Sequence, residues 1–126
     1  ALEDYLKSLS KKTGIPFMFI NKEYELKIEV FIGYELYRII QEFTTNMLKY
    51  GNISECSIKL YTVNSFLMIA IIEDGTAFDF KKELATAKGT GIMNISSRLK
   101  IINASIIQQE ALIGNHFVIS LPMQTE

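Results

Sequence analysis

Three polar side chains of different chemistry are spaced so that a single helix would present them in one row. Glu42, Asn46 and Lys49 lie at i, i+4 and i+7, and such a stripe falls at the boundary between the apolar helix face and solvent. A carboxylate there can orient a nucleophile, an amide oxygen can bind a hard cation, and an ammonium can contact phosphates. Taken alone, the stripe is more typical of a solvated helix face with a Glu/Lys pair.

Two glycine-containing segments follow this stripe along the chain. Residues 73–78, Glu-Asp-Gly-Thr-Ala-Phe, are either a simple turn or a carboxylate at the floor of a pocket, where Gly75 lets a ligand approach closely. Residues 88–92, Lys-Gly-Thr-Gly-Ile, open an apolar-periodic stretch, and backbone N–H groups at such a helix start can bind phosphate. The second segment matches neither the Rossmann fingerprint nor the Walker A motif.

The periodicity of apolar residues predicts the helices and strands that must position these residues. Helical spacing runs through three segments, residues 2–12, 30–50 and 92–102. Strand-like patterns cover five short segments, residues 17–20, 56–62, 66–72, 105–109 and 116–121. The segment 66–72 is apolar throughout, which predicts a central strand covered on both faces. Residues 74–91 show no steady period and predict a long functional loop.

The order of these segments, together with composition, limits the fold and the function. It favours an α+β two-layer sandwich, with a mixed, mostly antiparallel sheet of about five strands and about three helices on one face. The 126 residues predict a single domain, 1–126. A net charge of −1 argues against a nucleic-acid partner, and no apolar run is long enough to predict membrane contact. The lack of an initiator Met predicts a piece of a longer protein.

The single Cys and the single His each favour a structural interpretation. Cys56 excludes an internal disulfide and a cysteine-rich zinc site, and its place in an alternating strand predicts a small core residue. His116 follows the turn into the last predicted strand, and we interpret it as a strand-edge residue without a catalytic role. A single His likewise excludes a His-rich metal site.

Taken in order, the three segments resemble the ATP-binding domain of sensor histidine kinases, within the GHKL or Bergerat-fold ATPases. The family's asparagine box, Leu-Tyr-Arg-Ile-x-Gln-Glu-x-x-x-Asn, is reproduced nearly throughout by residues 36–42 and Asn46, followed by Lys49 and Tyr50. Residues 73–78 resemble the first glycine box, and residues 89–92 resemble the second. The resemblance covers essentially the whole chain and implies the Bergerat-type fold.

The resemblance implies a role for each matching position. Asn46 would bind Mg²⁺, Glu42 would be the acid/base or water-orienting carboxylate, and Lys49 would contact phosphate. Asp74 would accept a hydrogen bond from the adenine amino group, with Gly75 allowing the base to approach. The implied nucleotide-binding residues are Asn46, Lys49, Tyr50, Asp74, Gly75, Ala77, Gly89, Thr90, Gly91, Ile92 and Asn115.

A mobile ATP lid would span residues 78–88, with hinges at Gly89 and Gly91. Its lack of apolar period predicts a segment that opens at low free-energy cost and becomes ordered when Mg-ATP binds. Two positions depart from the family pattern. Ala77 stands where a second glycine is usual, and Asn115 follows Gly114 where the family often has threonine.

The resemblance implies the catalytic domain of a bacterial two-component sensor kinase. It would transfer the γ-phosphoryl group of Mg-ATP to a histidine on a separate dimeric helical phosphoacceptor domain, with a response regulator as the next partner. The domain would lie in the cytoplasm, and a membrane anchor elsewhere in the parent protein is left open. The alternatives are a nucleotide-binding or interaction module without turnover, which Ala77 favours, and a serine-kinase anti-sigma factor.

Overall fold

The computed structural model describes residues 2–23, 26–86 and 91–123. The helices in these ranges are α1 Leu2–Thr13, α2 Val30–Asn46, α3 Phe80–Thr86 and α4 Gly91–Ile101. The strands are β1 Phe17–Asn21, β2 Cys56–Val63, β3 Phe66–Glu73, β4 Ser105–Gln109 and β5 Asn115–Pro122. They form one sheet in the order β1-β2-β3-β5-β4, in which β1 pairs with β2 in parallel and the other pairs are antiparallel. The predicted fold class is confirmed, with α3 as an additional helix.

The main hydrophobic core lies on one face of the sheet, although Ala70 and Val118 on the other face are also buried. Leu67, Ile69 and Ile71 of β3 are buried there against the helices, as the strand period of two requires. On the opposite face Phe66 and Ile72 are 45% and 42% exposed. The prediction that this strand is covered on both faces is therefore wrong. An apolar run marked the strand as central, but all four described helices pack on the same side of the sheet.

The α2 helix carries the asparagine box and changes geometry at its end. It continues as a single π-helical turn, Met47–Gly51, and ends at Asn52, whose φ of 53° is left-handed. The predicted helical segment, residues 30–50, corresponds to α2 and this turn. Single π-helical turns occur frequently at functional sites, and this one carries Lys49 and Tyr50.

The amino-terminal helix is held against α2 through polar and aromatic contacts. The Tyr5 hydroxyl shares a hydrogen bond of 2.7 Å with Thr44 Oγ1, and the Tyr5 ring meets that of Tyr37 edge-on at 5.5 Å between centroids. Leu6 is 1% exposed, and burial of a leucine side chain contributes roughly 1.5–3 kcal/mol. Gly14, with a φ of 73°, follows the last residue of the helix. Within the described ranges, no helix is both long enough and apolar enough to cross a membrane.

Candidate functional site

A cavity of about 410 Å³ lies where α2, α4 and the ends of β3 and β5 meet. Its volume is within the range of small-molecule sites. Most of its lining is apolar, with a few polar groups. The lining residues are Phe43, Asn46, Met47, Tyr50, Gly51, Glu73, Thr76, Phe78, Glu83, Ile92 and Phe117.

Aromatic rings form one wall of this cavity. Phe117 lies 5.2 Å from Phe43 and 5.5 Å from Phe78, measured between ring centroids. Phe80 of α3 stacks on Phe43 at 6.2 Å. Because Phe43 and Phe117 are buried, this wall is held in place by the core. A planar heterocyclic ring can pack against such a wall with favourable aromatic contacts.

The asparagine box and the second glycine box meet at Gly91. A Cβ at Gly91 would lie 2.6 Å from Glu42 Oε2 and 2.9 Å from Asn46 Nδ2, which shows how closely this backbone approaches both side chains. On the same helix, Asn94 Nδ2 donates a hydrogen bond of 3.4 Å to Glu42 Oε1. The structure therefore brings Gly91 against Glu42 and Asn46. These two residues lie on neighbouring turns of α2, and Gly91 follows them in the sequence by 49 and 45 residues.

An ion pair that the sequence analysis missed holds α4 against α2. Arg98 Nη1 donates to Glu35 Oε1 at 2.9 Å and to Oε2 at 3.2 Å, and Glu35 is 5% exposed. A buried carboxylate needs such a partner, because an unpaired charge there would be costly. The pair lies two helical turns from Glu42 on α2, so it helps to set the spacing of α2 and α4 at the site.

We expect Gly91→Ala to lower the affinity for Mg²⁺-nucleotide about tenfold, the equivalent of one lost favourable contact. The added methyl group would displace the ends of the Glu42 and Asn46 side chains. Because both side chains are flexible at those ends, the free energy of unfolding should change little. Calorimetric titration and thermal unfolding measure the two quantities. Ser97→Ala, at an exposed position of α4, is the control, and equal affinity in both variants would show that this contact is irrelevant to binding.

The carboxylate that lines the cavity belongs to Glu73, whereas Asp74 lies elsewhere. Glu73 is 3% exposed and lines the cavity. Asp74 Oδ1 accepts hydrogen bonds from the backbone N–H groups of Ser54 at 2.8 Å and Glu55 at 3.0 Å, and the Ser54 hydroxyl donates to Oδ2. These bonds, the one from the Ser54 hydroxyl first, lower the pKa of Asp74 from 3.8. The structure does not bring Asp74 into the cavity, so its position does not support the role that the resemblance implied.

The sequence did contain a signal that Glu73, and not Asp74, faces the cavity. Side chains of a strand alternate between its two faces, so Leu67, Ile69, Ile71 and Glu73 share the face that packs on the helices. Asp74 is one residue further and turns away. The apolar run 66–72 hid this alternation, because nearly every residue in it is hydrophobic.

Glu73 is held by two hydrogen bonds from its own chain. Its Oε1 accepts the N–H of Gly75 at 2.8 Å, and its Oε2 accepts Nδ2 of Asn115 at 3.1 Å. Each carboxylate oxygen has two lone pairs, so both oxygens can still accept a hydrogen bond from a ligand. Glu73 is thus a fixed, buried acceptor in an otherwise apolar cavity.

Gly75 lies directly against the end of the π-helical turn. Thr76 donates its N–H to the Gly51 carbonyl oxygen at 2.7 Å. A Cβ at Gly75 would overlap that same carbonyl oxygen and would lie 2.7 Å from Ile53 Cγ2. The first glycine box therefore needs glycine here so that the strand end can pass beside Gly51.

We expect Gly75→Ala to lower the free energy of unfolding by about 2 kcal/mol, because the backbone of residue 51 cannot move aside without strain. Chemical denaturation measures this change. Gly33→Ala is the matched control: the nearest atom to its new Cβ would be 4.0 Å away, and alanine is favoured in a helix interior by about 0.5–1 kcal/mol. Equal stability of the two variants would contradict the close packing at Gly75.

A solved histidine kinase structure matches this architecture over almost the whole chain. The nucleotide-free catalytic domain of histidine kinase ThkA superposes with a TM-score of 0.75 at 16% identity, covering 96% of this chain and 86% of that one. The chain has the histidine kinase catalytic domain fold. The resemblance seen in the sequence is thereby confirmed for the fold.

The curated proteins that are similar to this chain are distant from it in sequence. Sensor histidine kinase ComP of Bacillus subtilis is 28% identical over 71 residues, or 56% of this chain. Sensor protein VraS of Staphylococcus aureus is 25% identical over 104 residues, or 82% of this chain. The chain spans only 9% of ComP and 29% of VraS, so it corresponds to one part of each protein. No protein-family model matches the chain.

The remaining predicted site residues lie in different places. Tyr50 and Ile92 line the cavity, although Tyr50 is 73% exposed. Lys49 is exposed on the π-helical turn, Ala77 lines a second cavity between α3 and β4, and Asn115 reaches the site through Glu73. The positions of Gly89 and Thr90 lie outside the described residues.

The predicted lid contains a helix that the sequence did not indicate. Residues 80–86 form α3, in which Phe80 is buried against Phe43 and Glu83 lines the cavity. A helix of two turns held by one buried residue has no repeated apolar spacing, so no period could mark it. Ordering of this segment by nucleotide stays a prediction.

The other two residues considered in the sequence have structural surroundings. Cys56 is buried in the core, and burial raises the pKa of its thiol to about 12, so it stays protonated and unreactive at neutral pH. His116 is half-buried on β5 and pairs with Ile72 of β3 and Gln109 of β4. Neither residue lines the cavity of about 410 Å³.

The residues at Gly91 fit a magnesium-nucleotide complex better than a metal site made of protein ligands alone. Within ranges 2–23, 26–86 and 91–123, no group of three or more His, Cys, Asp or Glu side chains could hold a metal ion. Mg²⁺ is usually held by one or two side-chain oxygens together with phosphates and waters. The amide of Asn46, beside a backbone that a Cβ would crowd, is suited to that arrangement.

Proposed function

We propose that this domain binds Mg-ATP and transfers the γ-phosphoryl group to a histidine on a separate dimeric helical phosphoacceptor domain of its parent protein. A response regulator then receives the group, and the reaction takes place in the cytoplasm. The observation that carries this proposal is the meeting of Glu42, Asn46 and Gly91 beside an apolar cavity that holds one buried carboxylate, Glu73.

The adenine base occupies the apolar cavity in this proposal. The wall formed by Phe43, Phe78 and Phe117 supports a planar ring. Glu73 accepts a hydrogen bond from the exocyclic amino group, which ATP has and GTP lacks at that position. Because Glu73 is 3% exposed and acceptor-only when ionised, a carbonyl oxygen in place of the amino group would be repelled.

The triphosphate extends toward the start of α4 and the π-helical turn. Asn46 Oδ1 is the magnesium ligand, and backbone N–H groups at residues 89–91 together with Lys49 contact phosphate oxygens. A magnesium ion held there by Asn46 would neutralise phosphate charge during attack on the γ-phosphorus. Glu42 orients the attacking imidazole of the phosphoacceptor histidine. Phosphoryl transfer of this kind depends on positioning and electrostatics more than on covalent chemistry by the protein.

A module that binds nucleotide without turnover is the second candidate. One observation favours it, since Ala77 replaces a glycine of the first glycine box. Phosphorylation of the parent protein from γ-labelled ATP separates the candidates. Label on a histidine outside these 126 residues supports the kinase, and magnesium-dependent binding without label supports the module.

Calorimetric titration with a non-hydrolysable ATP analogue tests the proposal. We expect binding with Mg²⁺, much weaker binding with EDTA, and a preference for the ATP analogue over the GTP analogue. Absence of binding in the presence of Mg²⁺ would contradict both candidates. Binding that is independent of Mg²⁺ would contradict the role given to Asn46.

A further inference from the structure

The helix α3 brings a second carboxylate, that of Glu83, to the cavity proposed for the base. Glu83 lines the same cavity as Glu73 and Asn46. It is exposed, whereas Glu73 is buried, so Glu83 lies at the side of the cavity that opens to solvent. The α3 helix is outside the asparagine box and both glycine boxes, and the resemblance to the kinase family therefore gives Glu83 no role.

Contacts at the start of α3 hold Glu83 in this place. The Phe80 N–H donates to Gln108 Oε1 at 2.8 Å, and the Phe80 ring stacks on Phe43 at 6.2 Å between centroids. The Asp79 carbonyl oxygen accepts the N–H of Glu83 at 2.9 Å. Because Phe80 is 4% exposed, the first turn of α3 is fixed to the core, and Glu83 follows one turn later.

The stacked rings also determine where Glu83 lies relative to the proposed magnesium ligand. Phe43 and Asn46 are one turn apart on α2, and Phe80 and Glu83 are one turn apart on α3. Both polar residues line the cavity on which these helices border. In the proposed function the base contacts Glu73 and the phosphates lie at Asn46. The ribose joins base and phosphates, so it must cross the cavity that Glu83 lines.

The chemistry of a carboxylate limits which part of a nucleotide Glu83 can bind. An ionised carboxylate only accepts hydrogen bonds, and it repels the anionic phosphates. The amino group of adenine is assigned to Glu73. The 2′ and 3′ hydroxyl groups of the ribose remain, and these two adjacent donors match the two oxygens of one carboxylate. Acidic side chains bind ribose hydroxyl groups in dinucleotide-binding folds in the same manner.

The Glu83 carboxylate is also available for a ligand. Among the residues that the structure describes, the only ion pair joins Arg98 to Glu35. No cationic side chain of the described ranges therefore competes with a nucleotide for Glu83.

We infer that Glu83 is a specificity-determining residue that binds the ribose hydroxyl groups, so that the domain selects ribonucleotides over deoxyribonucleotides. The inference rests on the proposed function and assigns a sugar subsite to α3. Magnesium is the other group that a carboxylate at this place can bind. The two roles differ in what a variant loses, since a sugar ligand affects only nucleotides with hydroxyl groups and a metal ligand affects the dependence on Mg²⁺.

Glu83→Ala tests this subsite, with Glu110→Ala as the control. Both residues are exposed, and Glu110 does not line the cavity. Alanine is the best helix former, so Glu83→Ala should stay folded. Calorimetric titration compares a non-hydrolysable ATP analogue with its 2′,3′-dideoxy form, each with Mg²⁺ and with EDTA.

We expect the wild type and Glu110→Ala to bind the ribonucleotide about tenfold more tightly than the dideoxy form, the effect of one hydrogen bond to a charged group. Glu83→Ala should bind the two analogues equally. The ratio of affinities in Mg²⁺ and in EDTA should be the same in all three proteins.

The possible outcomes separate this inference from the proposed function. A wild-type protein that binds both analogues equally would overturn the inference and leave the proposed function standing. A Glu83→Ala protein that keeps the full preference for the ribonucleotide would do the same. Loss of magnesium dependence in that variant, with the preference retained, would make Glu83 a magnesium ligand instead. A wild-type protein that binds neither analogue in Mg²⁺ would overturn the proposed function as well.

Discussion

Asn46→Ala is expected to abolish magnesium-dependent binding of an ATP analogue while the domain stays folded. The amide oxygen is the side-chain ligand proposed for Mg²⁺, and alanine supplies no oxygen. A hydrogen bond to a charged group is worth about 1.5–3 kcal/mol, and for a loss of similar size at the metal the affinity in Mg²⁺ should fall roughly tenfold to a hundredfold, toward the value measured in EDTA. Asn46 is only half-buried near the end of α2, and alanine is the best helix former, so stability should not fall.

Titrations of both variants with and without Mg²⁺ measure this effect. Thr45→Ala is the matched control, because Thr45 is exposed on the same helix turn and does not line the cavity. Thermal unfolding checks that both proteins are intact. A folded Asn46→Ala protein that keeps wild-type magnesium dependence would remove Asn46 from the metal site.

Glu73→Gln is expected to abolish the preference of the domain for an ATP analogue over a GTP analogue. Glutamine keeps the size of the side chain but loses the charge and turns one acceptor into a donor. A hydrogen bond to a charged group contributes about 1.5–3 kcal/mol. Because the variant loses such a bond to the base, its affinity for the ATP analogue should fall roughly tenfold to a hundredfold. Affinity for magnesium tripolyphosphate should not change, because that probe does not enter the base cavity.

Asp74→Asn is the paired control, and it separates two adjacent carboxylates. Asp74 accepts hydrogen bonds from Ser54 and Glu55, so its replacement should affect the turn before β2 and leave the preference for ATP intact. Competition between ATP and GTP analogues gives the preference directly. Loss of preference in Asp74→Asn with retention in Glu73→Gln would return the adenine contact to Asp74.

The parts of the fold that were predicted correctly have strong local signals. The α2 helix follows from helical apolar periodicity, and β2 follows from the alternation of a strand. The two incorrect predictions, the covering of β3 on both faces and the absence of a helix at α3, concern elements that lack such a signal. The uniform apolar run of β3 concealed which face is buried, and the two turns of α3 are too short to show a period.

The site could be predicted only in part, for a related reason. The resemblance of the boxes to the kinase family indicated which segments meet, and Glu42, Asn46 and Gly91 do meet. Contacts that depend on tertiary structure left no mark in the sequence. The Asn115–Glu73 hydrogen bond joins residues 42 positions apart, and the Arg98–Glu35 pair joins residues 63 positions apart.

Hydrogen exchange measured with and without a magnesium-bound ATP analogue tests most directly whether this cavity is the nucleotide site. We predict slower exchange with nucleotide across residues 78–91, where phosphate contacts would order the segment, and across the π-helical turn Met47–Gly51. Exchange in β1, which lies at the far edge of the sheet, should not change. Equal exchange in both states over residues 47–51 and 78–91, at saturating analogue, would contradict nucleotide binding at this site.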